Sequence, residues 1–380
     1  MIRLLSVQPV AERGGSDQAL LRMVRSLPSG EFDCHIALPA PSPMHAELTA
    51  AGATVHVVPM RRLSSSHGAR DWVAYGAGWP VAVARLARLA RRLDVDVVHT
   101  NSLHSLYGWA AAALVRRPHV WHAREIVVQS QAALRLERFL ARRFATVVIC
   151  MSEAIAAQLD PGNVEIVYET VDPAEFRPGL AGRFRDHVGI PSDAPLVGAA
   201  GRLDTWKGFD VLLDSYAQAK AARPDMHLVV AGGPVVGKEH VAAALAERAA
   251  RLDDVHWLGP RSDMPELFAD LDLFVLPSTE PEPYGLVAVE ALASGVPVVV
   301  TAAGGPPEIL VRAAAGAGSA VPAGDATALA AAVVDLLPPA TDVAARRTRR
   351  SLQPPDERER FAALFRQVTE ARHRGASGRH

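Results

Sequence analysis

The stretch LFVLPSTEPEPYGLVAVEALASGVPVVV, residues 273–300, decides the fold. LFVL and VPVVV are short, continuous apolar runs, the pattern of strands covered on both faces. Between them, GLVAVEALA reads as a helix that Gly285 opens and that Gly295 and Pro297 close. Strand, helix and strand in this order form a right-handed crossover between parallel strands. Along the helix, Leu286, Val289, Leu292 and Ala293 leave Glu290 no polar face on which to rest. An unpaired carboxylate there would cost several kcal/mol or shift its pKa. An arginine, backbone amides or ligand hydroxyls must satisfy it. A second acid, Glu282, waits just ahead of the helix in an E-x7-E spacing.

The same alternation runs outward in both directions. Upstream of the domain boundary lie IRLLSV, CHIALPA, TVHVVPM, DVVHTNS, HVWHARE, TVVICMS and EIVYET; beyond it lie PLVGAAG, HLVVAGG, VHWLGP, LFVLPS and VPVVV. Helical segments such as AVARLARLARRL and KEHVAAALAERAARL separate them, which predicts doubly wound α/β sheets. The series resets once, in the Pro-, Gly- and charge-rich segment 178–194. We therefore expect a Rossmann-like domain over 1–180 and a second over 190–345, facing a cleft where such sheets bind ligands. Phe361, Leu364, Phe365 and Val368 have helical spacing, predicting a C-terminal helix over 356–373 that packs back on the body, returning to the first domain. Arg346, Arg347, Arg349 and Arg350 before it read as a solvated connector.

Composition narrows the partners. The 380 residues are 49% hydrophobic and 21% charged with a formal net charge of −1, so nothing draws the chain to nucleic acid. Cys34 and Cys150 suit buried thiols in a reducing cytoplasm, and no Cys/His set has metal-ligand spacing. The first apolar run is too short for a signal peptide, and no run is long enough to span a membrane. The expected location is cytoplasmic.

Chemistry concentrates on two loops. Backbone amides at Gly285, Leu286 and Val287 stand at a helix N-terminus after a strand end, a ready anion site, with Glu282 in the adjoining loop between Pro281 and Pro283. Upstream, GAAGRLDTWKGFD follows a strand and carries Arg202 and Lys207, a planar fork and a mobile point charge for phosphate. Carboxylates accept hydrogen bonds from sugar hydroxyls, so the implied ligand is a phosphate with sugars on both sides, a nucleotide-sugar. A structural ion pair is the competing explanation for the acids.

With these residues in view, the sequence resembles the family 4 glycosyltransferases, retaining enzymes of the GT-B fold. The resemblance is carried by GRLDTWKG (201–208), by PSTEPEPYGLVAVEALASGVPVV (277–299) and by AGGPPEI (303–309). Looser likenesses are RGGSDQALL, NSLHS, WHARE and IVYETVDPAEFRP. The resemblance implies that Arg202 and Lys207 neutralise the donor diphosphate, Glu290 holds the ribose, and Glu282 binds the transferred sugar beside the amides of Gly285, Leu286 and Val287. It further implies that Gly15 lets backbone approach the diphosphate and acceptor, that His122 touches the donor sugar, that Gly259 lies near the base, and that Glu308 orders its own loop. Catalytic roles would then fall to His122, Arg202, Lys207 and Glu282. Glu169-Thr170 stands where the family usually has Asn-Gly, and Tyr284 where Phe is common.

In such enzymes the leaving diphosphate takes the acceptor proton, so the protein supplies charge and orientation rather than a nucleophile. No cofactor and no metal are expected. Asp94/Asp96 and Asp270/Asp272, which mimic a D-x-D metal motif, read as acids at strand entries. A nicotinamide-dependent oxidoreductase is disfavoured because RLLSVQPVAERGGSD lacks the G-x-G-x-x-G turn. A nucleotide-sugar isomerase or epimerase, a phosphorylase of the same fold and an inactive nucleotide-sugar-binding module remain as alternatives. UDP is the favoured donor nucleotide, and the hydroxyl acceptor could be a glycan, a lipid-linked sugar or a small natural product. Arg135, Arg138, Arg142 and Arg143 share the helix AALRLERFLARRFA with Leu134, Leu136, Phe139 and Leu140. That helix could make a weak peripheral contact with an anionic membrane, or pack on the core with a basic outer face.

Overall fold

The computed structural model describes residues 1–10, 15–61, 68–128, 130–159, 162–180, 182, 184–338 and 349–377, with the backbone alone at 69 and 372–377. The chain forms two units. In the first, strands β1 (Ile2–Val7), β2 (Phe32–Leu38), β3 (Thr54–Val57), β4 (Val97–Thr100), β5 (His119–Ala123), β6 (Val147–Cys150) and β7 (Val164–Ile166) form one sheet. Their order is β3-β2-β1-β4-β5-β6-β7, with every pair parallel. The crossovers are α1 (Gly15–Ser26), α2 (His45–Ala50), α3 (Ala69–Arg92), α4 (Gly108–Val115), α5 (Gln131–Phe144) and α6 (Glu153–Leu159).

Neighbouring residues on β1 show how both faces fill. Leu4 joins a core with Leu20, Leu21, Ile36 and Phe365, whereas Leu5 joins another with Leu86, Val98 and Tyr107. The C-terminal helix, Arg358–Ser377, closes the first of these cores through Phe361, Phe365 and Val368. It is tied further by Arg366, which grips the Glu31 carboxylate. Pro80 lies inside α3, so that helix extends well ahead of the periodic AVARLARLARRL segment.

The second unit, Thr170–Pro355, carries β8 (Leu196–Ala200), β9 (His227–Ala231), β10 (Val255–Gly259), β11 (Leu273–Leu276), β12 (Val298–Thr301) and β13 (Gly318–Val321) in the order β10-β9-β8-β11-β12-β13. Its helices are α7 (Phe184–Val188), α8 (Phe209–Ala222), α9 (Glu239–Ala249), α10 (Met264–Asp270), α11 (Leu286–Ala293), α12 (Pro306–Arg312) and α13 (Ala326–Leu336). Phe274 pairs with Val298 and Leu276 with Val300 in parallel register, so residues 273–300 form the crossover unit read from the sequence. Strand β13 was not foreseen. Its residues, Gly-Ser-Ala-Val, carry too little apolar bulk to signal a strand.

The chain changes unit at Glu169/Thr170, not within 178–194. That segment is anchored to the second unit: the amides of Phe184 and Arg185 bind the Asp270 carboxylate, and Arg185 binds Asp272 at 2.9 Å. Asp272 also receives the Leu196 amide and Arg349, the latter at 2.7 Å. Arg349 is thus an internal ligand of Asp272 rather than part of a solvated connector, while Arg346 and Arg347 lie outside the described residues. In the first unit, Asp96 accepts the Arg3 amide and Asp94 meets Arg3 and Arg117. All four D-x-D acids therefore bind amides or arginines at strand entries. Among the described residues, no helix is long and apolar enough to cross a membrane.

Candidate functional site

In the second unit the C-terminal ends of β8 and β11 bring the two loops together. After β8, Asp204 caps a 3₁₀ turn, Thr205–Lys207, and Gly208 follows with φ 68°. A side chain at Gly208 would place its Cβ 2.0 Å from the carbonyl oxygen of Pro277, so only glycine permits this approach to the end of β11. The Thr279 amide then donates to the Trp206 carbonyl at 2.8 Å. Held by these contacts, Lys207 donates to a Glu282 carboxylate oxygen at 2.6 Å, with its ammonium 4.2 Å from the centre of the Trp206 ring.

Glu282 is fixed on every side. Its amide donates to Ala303, its carbonyl accepts from Gly305, and Ser278 Oγ donates to the oxygen that also takes Lys207. Gly304, at φ 85°, lies so near that a Cβ would fall 2.1 Å from the Glu282 carbonyl oxygen. Burial alone would raise the Asp204 carboxyl. Hydrogen bonds from Lys238 and the Thr205 amide, with the charges of Lys238 and Arg202, outweigh it and hold the group below its ordinary value. Arg202 itself is exposed.

Helix α11 departs from the sequence reading. Leu286, Val287 and Glu290 are each half-buried, while Ala288, Val289, Ala291, Leu292 and Ala293 are fully enclosed. Positions 286, 287 and 290 share one face, so Glu290 stands on a half-open stripe rather than within an all-apolar helix. Gly285 precedes the helix at φ 98°, where a Cβ would meet Leu276 at 2.7 Å. Gly259 ends β10 at φ 70° and accepts the Gly232 amide. It stands two strands from β8. Glu308 lies in the first turn of α12, its amide bonded to Gly305.

The first unit has a polar cavity of about 100 Å³ beyond the C-terminal ends of β1, β4 and β5. Its lining includes Gln8, Ser16, Arg61, Asn101, His104 and Glu125. Behind the lining runs a buried hydrogen-bond chain. Asn101 donates to Gln8 and to the Ser16 carbonyl and accepts from Arg124 at 2.6 Å; Arg124 also binds Glu169. Gln8 donates in turn to Asp17, in the first turn of α1. Gly15 begins α1, and a Cβ there would meet nothing within 4 Å among the described residues.

His122 is enclosed. Its side chain is 0% exposed, its ring lies 5.7 Å from both His99 and Phe361, and Arg124 donates to its Nδ1. Burial, reinforced by the charges of Arg124 and His99, holds its pKa well below the ordinary value. It is a packed histidine near the C-terminal end of β5, held in its uncharged form. Gln8, Asn101 and Glu125, which line the cavity, belong to no motif quoted from the sequence for their own chemistry. The available signal was polar side chains directly after apolar strands, where sheets of this type bind ligands.

Comparison with known proteins gives two family matches: residues 182–347 to Glycosyl transferases group 1, and residues 14–168 to Glycosyl transferase 4-like domain. A D-inositol 3-phosphate glycosyltransferase of Stackebrandtia nassauensis is 32% identical over 234 residues, covering 54% of this chain and 53% of that protein. The lipopolysaccharide core biosynthesis mannosyltransferase LpsB of Rhizobium meliloti is 34% identical over 168 residues, covering 43% and 47%. The chain spans about half the length of these curated relatives, or less. Among solved structures, Anabaena HepE in complex with UDP and glucose superposes with a TM-score of 0.75 at 24% identity, covering 100% of both chains. A glycosyltransferase from Rickettsia africae superposes at 0.71 and 17% identity, covering 97% and 93%.

Proposed function

The chain belongs to the group 1 glycosyltransferases, and we propose that it transfers a sugar from a nucleoside-diphosphate-sugar to a hydroxyl acceptor, with retention at the anomeric carbon. The observation that carries this reading is the convergence of Lys207 and Glu282, 2.6 Å apart, beside the start of α11. In the free protein Glu282 neutralises Lys207. An arriving diphosphate competes for the ammonium, with Arg202 and the first amides of α11 adding positive charge where the leaving group develops its own. Glu282, released from Lys207 but still braced by Ser278 and the Ala303–Gly305 backbone, then accepts hydroxyls of the transferred sugar. Glu290, on the half-open face of α11, receives the ribose hydroxyls.

We assign Glu282 to the sugar hydroxyls, since Lys207 and Ser278 hold one of its oxygens, and not to attack on the anomeric carbon. These groups offer charge and orientation, so the leaving diphosphate takes the acceptor proton on the same face of the sugar. Arg202, Lys207 and the α11 amides together supply the charge that a divalent cation would otherwise bring, which is the basis for a metal-independent reaction. Support for UDP as the nucleotide comes from HepE, whose structures hold UDP and UDP-glucose. The polar cavity of the first unit is the acceptor side of this reading.

The test follows the anomeric proton of the product by NMR, with an α-linked UDP-sugar, EDTA present, and an acceptor found by screening glycans, lipid-linked sugars and small hydroxylic molecules. An α-linked product formed undiminished in EDTA is expected. A β-linked product would overturn retention, loss of turnover in EDTA would overturn metal independence, and rearrangement of the donor without an acceptor would indicate an isomerase.

A further inference from the structure

Helices α3, α4 and α5 cover one face of the first sheet as a single layer. Trp79 and Trp109 join α3 to α4 with rings 6.1 Å apart, and Trp109 stacks on Phe144 of α5 at 4.4 Å. Inward residues of α3 and α4 share the core of Leu5 and Val98. Their outward sides therefore look the same way, and they carry unusual bulk for a water-facing surface. Leu114 is 54% exposed and Phe139 62%, with Val73, Val81 and Leu136 similarly bare.

The exposed charge on this layer is mostly basic. Arg85, Arg88, Arg91 and Arg92 of α3 and Arg135, Arg142 and Arg143 of α5 are all exposed. On α5, positions 135, 136, 139, 142 and 143 lie along one stripe, so Leu136 and Phe139 stand directly between arginines. The acids do not offset them. Glu137 turns inward to His104 at 2.7 Å, and the other acid of these helices, Asp71, caps the first turn of α3 by accepting the Gly68 amide. The whole chain carries a net charge of −1, so this accumulation is local.

We propose that this face docks the protein on an anionic lipid bilayer. Phe139, Leu136 and Val81 enter the interfacial region, where aromatic and aliphatic side chains gain by leaving water, and the arginines meet headgroup phosphates. The breadth of the feature favours a bilayer over an acidic protein. Its charges extend along two helices, one about 36 Å long, and its apolar groups stand singly between them, which matches a laterally continuous partner. The inference is independent of the sugar-transfer reading.

Flotation of the full chain with vesicles tests it, comparing phosphatidylcholine alone with phosphatidylcholine containing about one-third phosphatidylglycerol. The protein is expected to float with the anionic vesicles and to release as salt rises. The triple variant Arg135→Gln, Arg142→Gln, Arg143→Gln should keep its melting temperature and partition on the order of a hundredfold more weakly. Phe139→Ser should weaken partition roughly tenfold or more. Absence of flotation at low salt, or a triple variant that floats like the wild type, overturns the proposal. Retention on polyglutamate beads without flotation assigns the face to an acidic protein, and overturns it equally.

Discussion

Arg202→Ala should lower turnover on the order of 10²–10³-fold while leaving the melting temperature unchanged. Losing one preorganised group that stabilises transition-state charge costs roughly 3–4 kcal/mol, and Arg202 is exposed, so its removal opens no cavity. Lys207→Ala should lose turnover to a similar extent but also lose stability. Its ammonium is the cation bonded to buried Glu282, and truncation leaves that carboxylate with Ser278 on the shared oxygen. The two variants thus separate charge from scaffold. Steady-state kinetics with thermal melts provide the check: if Arg202→Ala turns over like the wild type, Arg202 is not on the leaving group.

Arg124→Ala should destabilise the first unit by roughly 3–5 kcal/mol, the cost of stripping one partner from a buried ion pair. Arg124 is 7% exposed and Glu169 4%, and Glu169 Oε2 has no hydrogen-bond partner among the described residues. The same substitution removes the donor to the Asn101 side-chain oxygen and so loosens the side chain whose nitrogen donates to Gln8 and the Ser16 carbonyl behind the cavity lining. The double variant Arg124→Met, Glu169→Met should recover much of the stability, because no uncompensated charge remains. Denaturant melts of the single and double variants measure this. A single variant as stable as the wild type would mean that water reaches Glu169.

The Arg124–Glu169 pair also shows where sequence reading stops. Glu169 was visible as a departure from the Asn-Gly turn of related chains, but its partner lies 45 residues earlier on another strand end. Nothing in local pattern links them. Periodicity, by contrast, sufficed wherever a strand was bulky: Phe274 to Leu276 and Val298 to Val300 pair in the crossover that the apolar runs imply. It failed at Gly318–Val321, where small side chains hide a strand. Lys207 and Glu282 meet because each loop leaves a strand end and a glycine turn brings the loops close. His122 has the same kind of position on β5, yet strand alternation turns it toward Phe361, and residue type alone does not disclose which face it takes. Apolar neighbours in the sequence make Glu290 look enclosed. The fold leaves Leu286 and Val287 half-open beside it.

The most direct test is calorimetric titration of the wild type and Glu290→Ala with UDP, GDP, dTDP, ADP and NAD. One nucleoside diphosphate, UDP in this account, should bind the wild type, and Glu290→Ala should bind it about ten- to a hundredfold more weakly, the worth of a charged hydrogen bond. In a thermal melt the same ligand at about 100 times its dissociation constant should add roughly 2.7 kcal/mol of stability. Binding of NAD alone, or equal affinity in the two proteins, would contradict the assignment of the α11 face to a nucleotide-sugar.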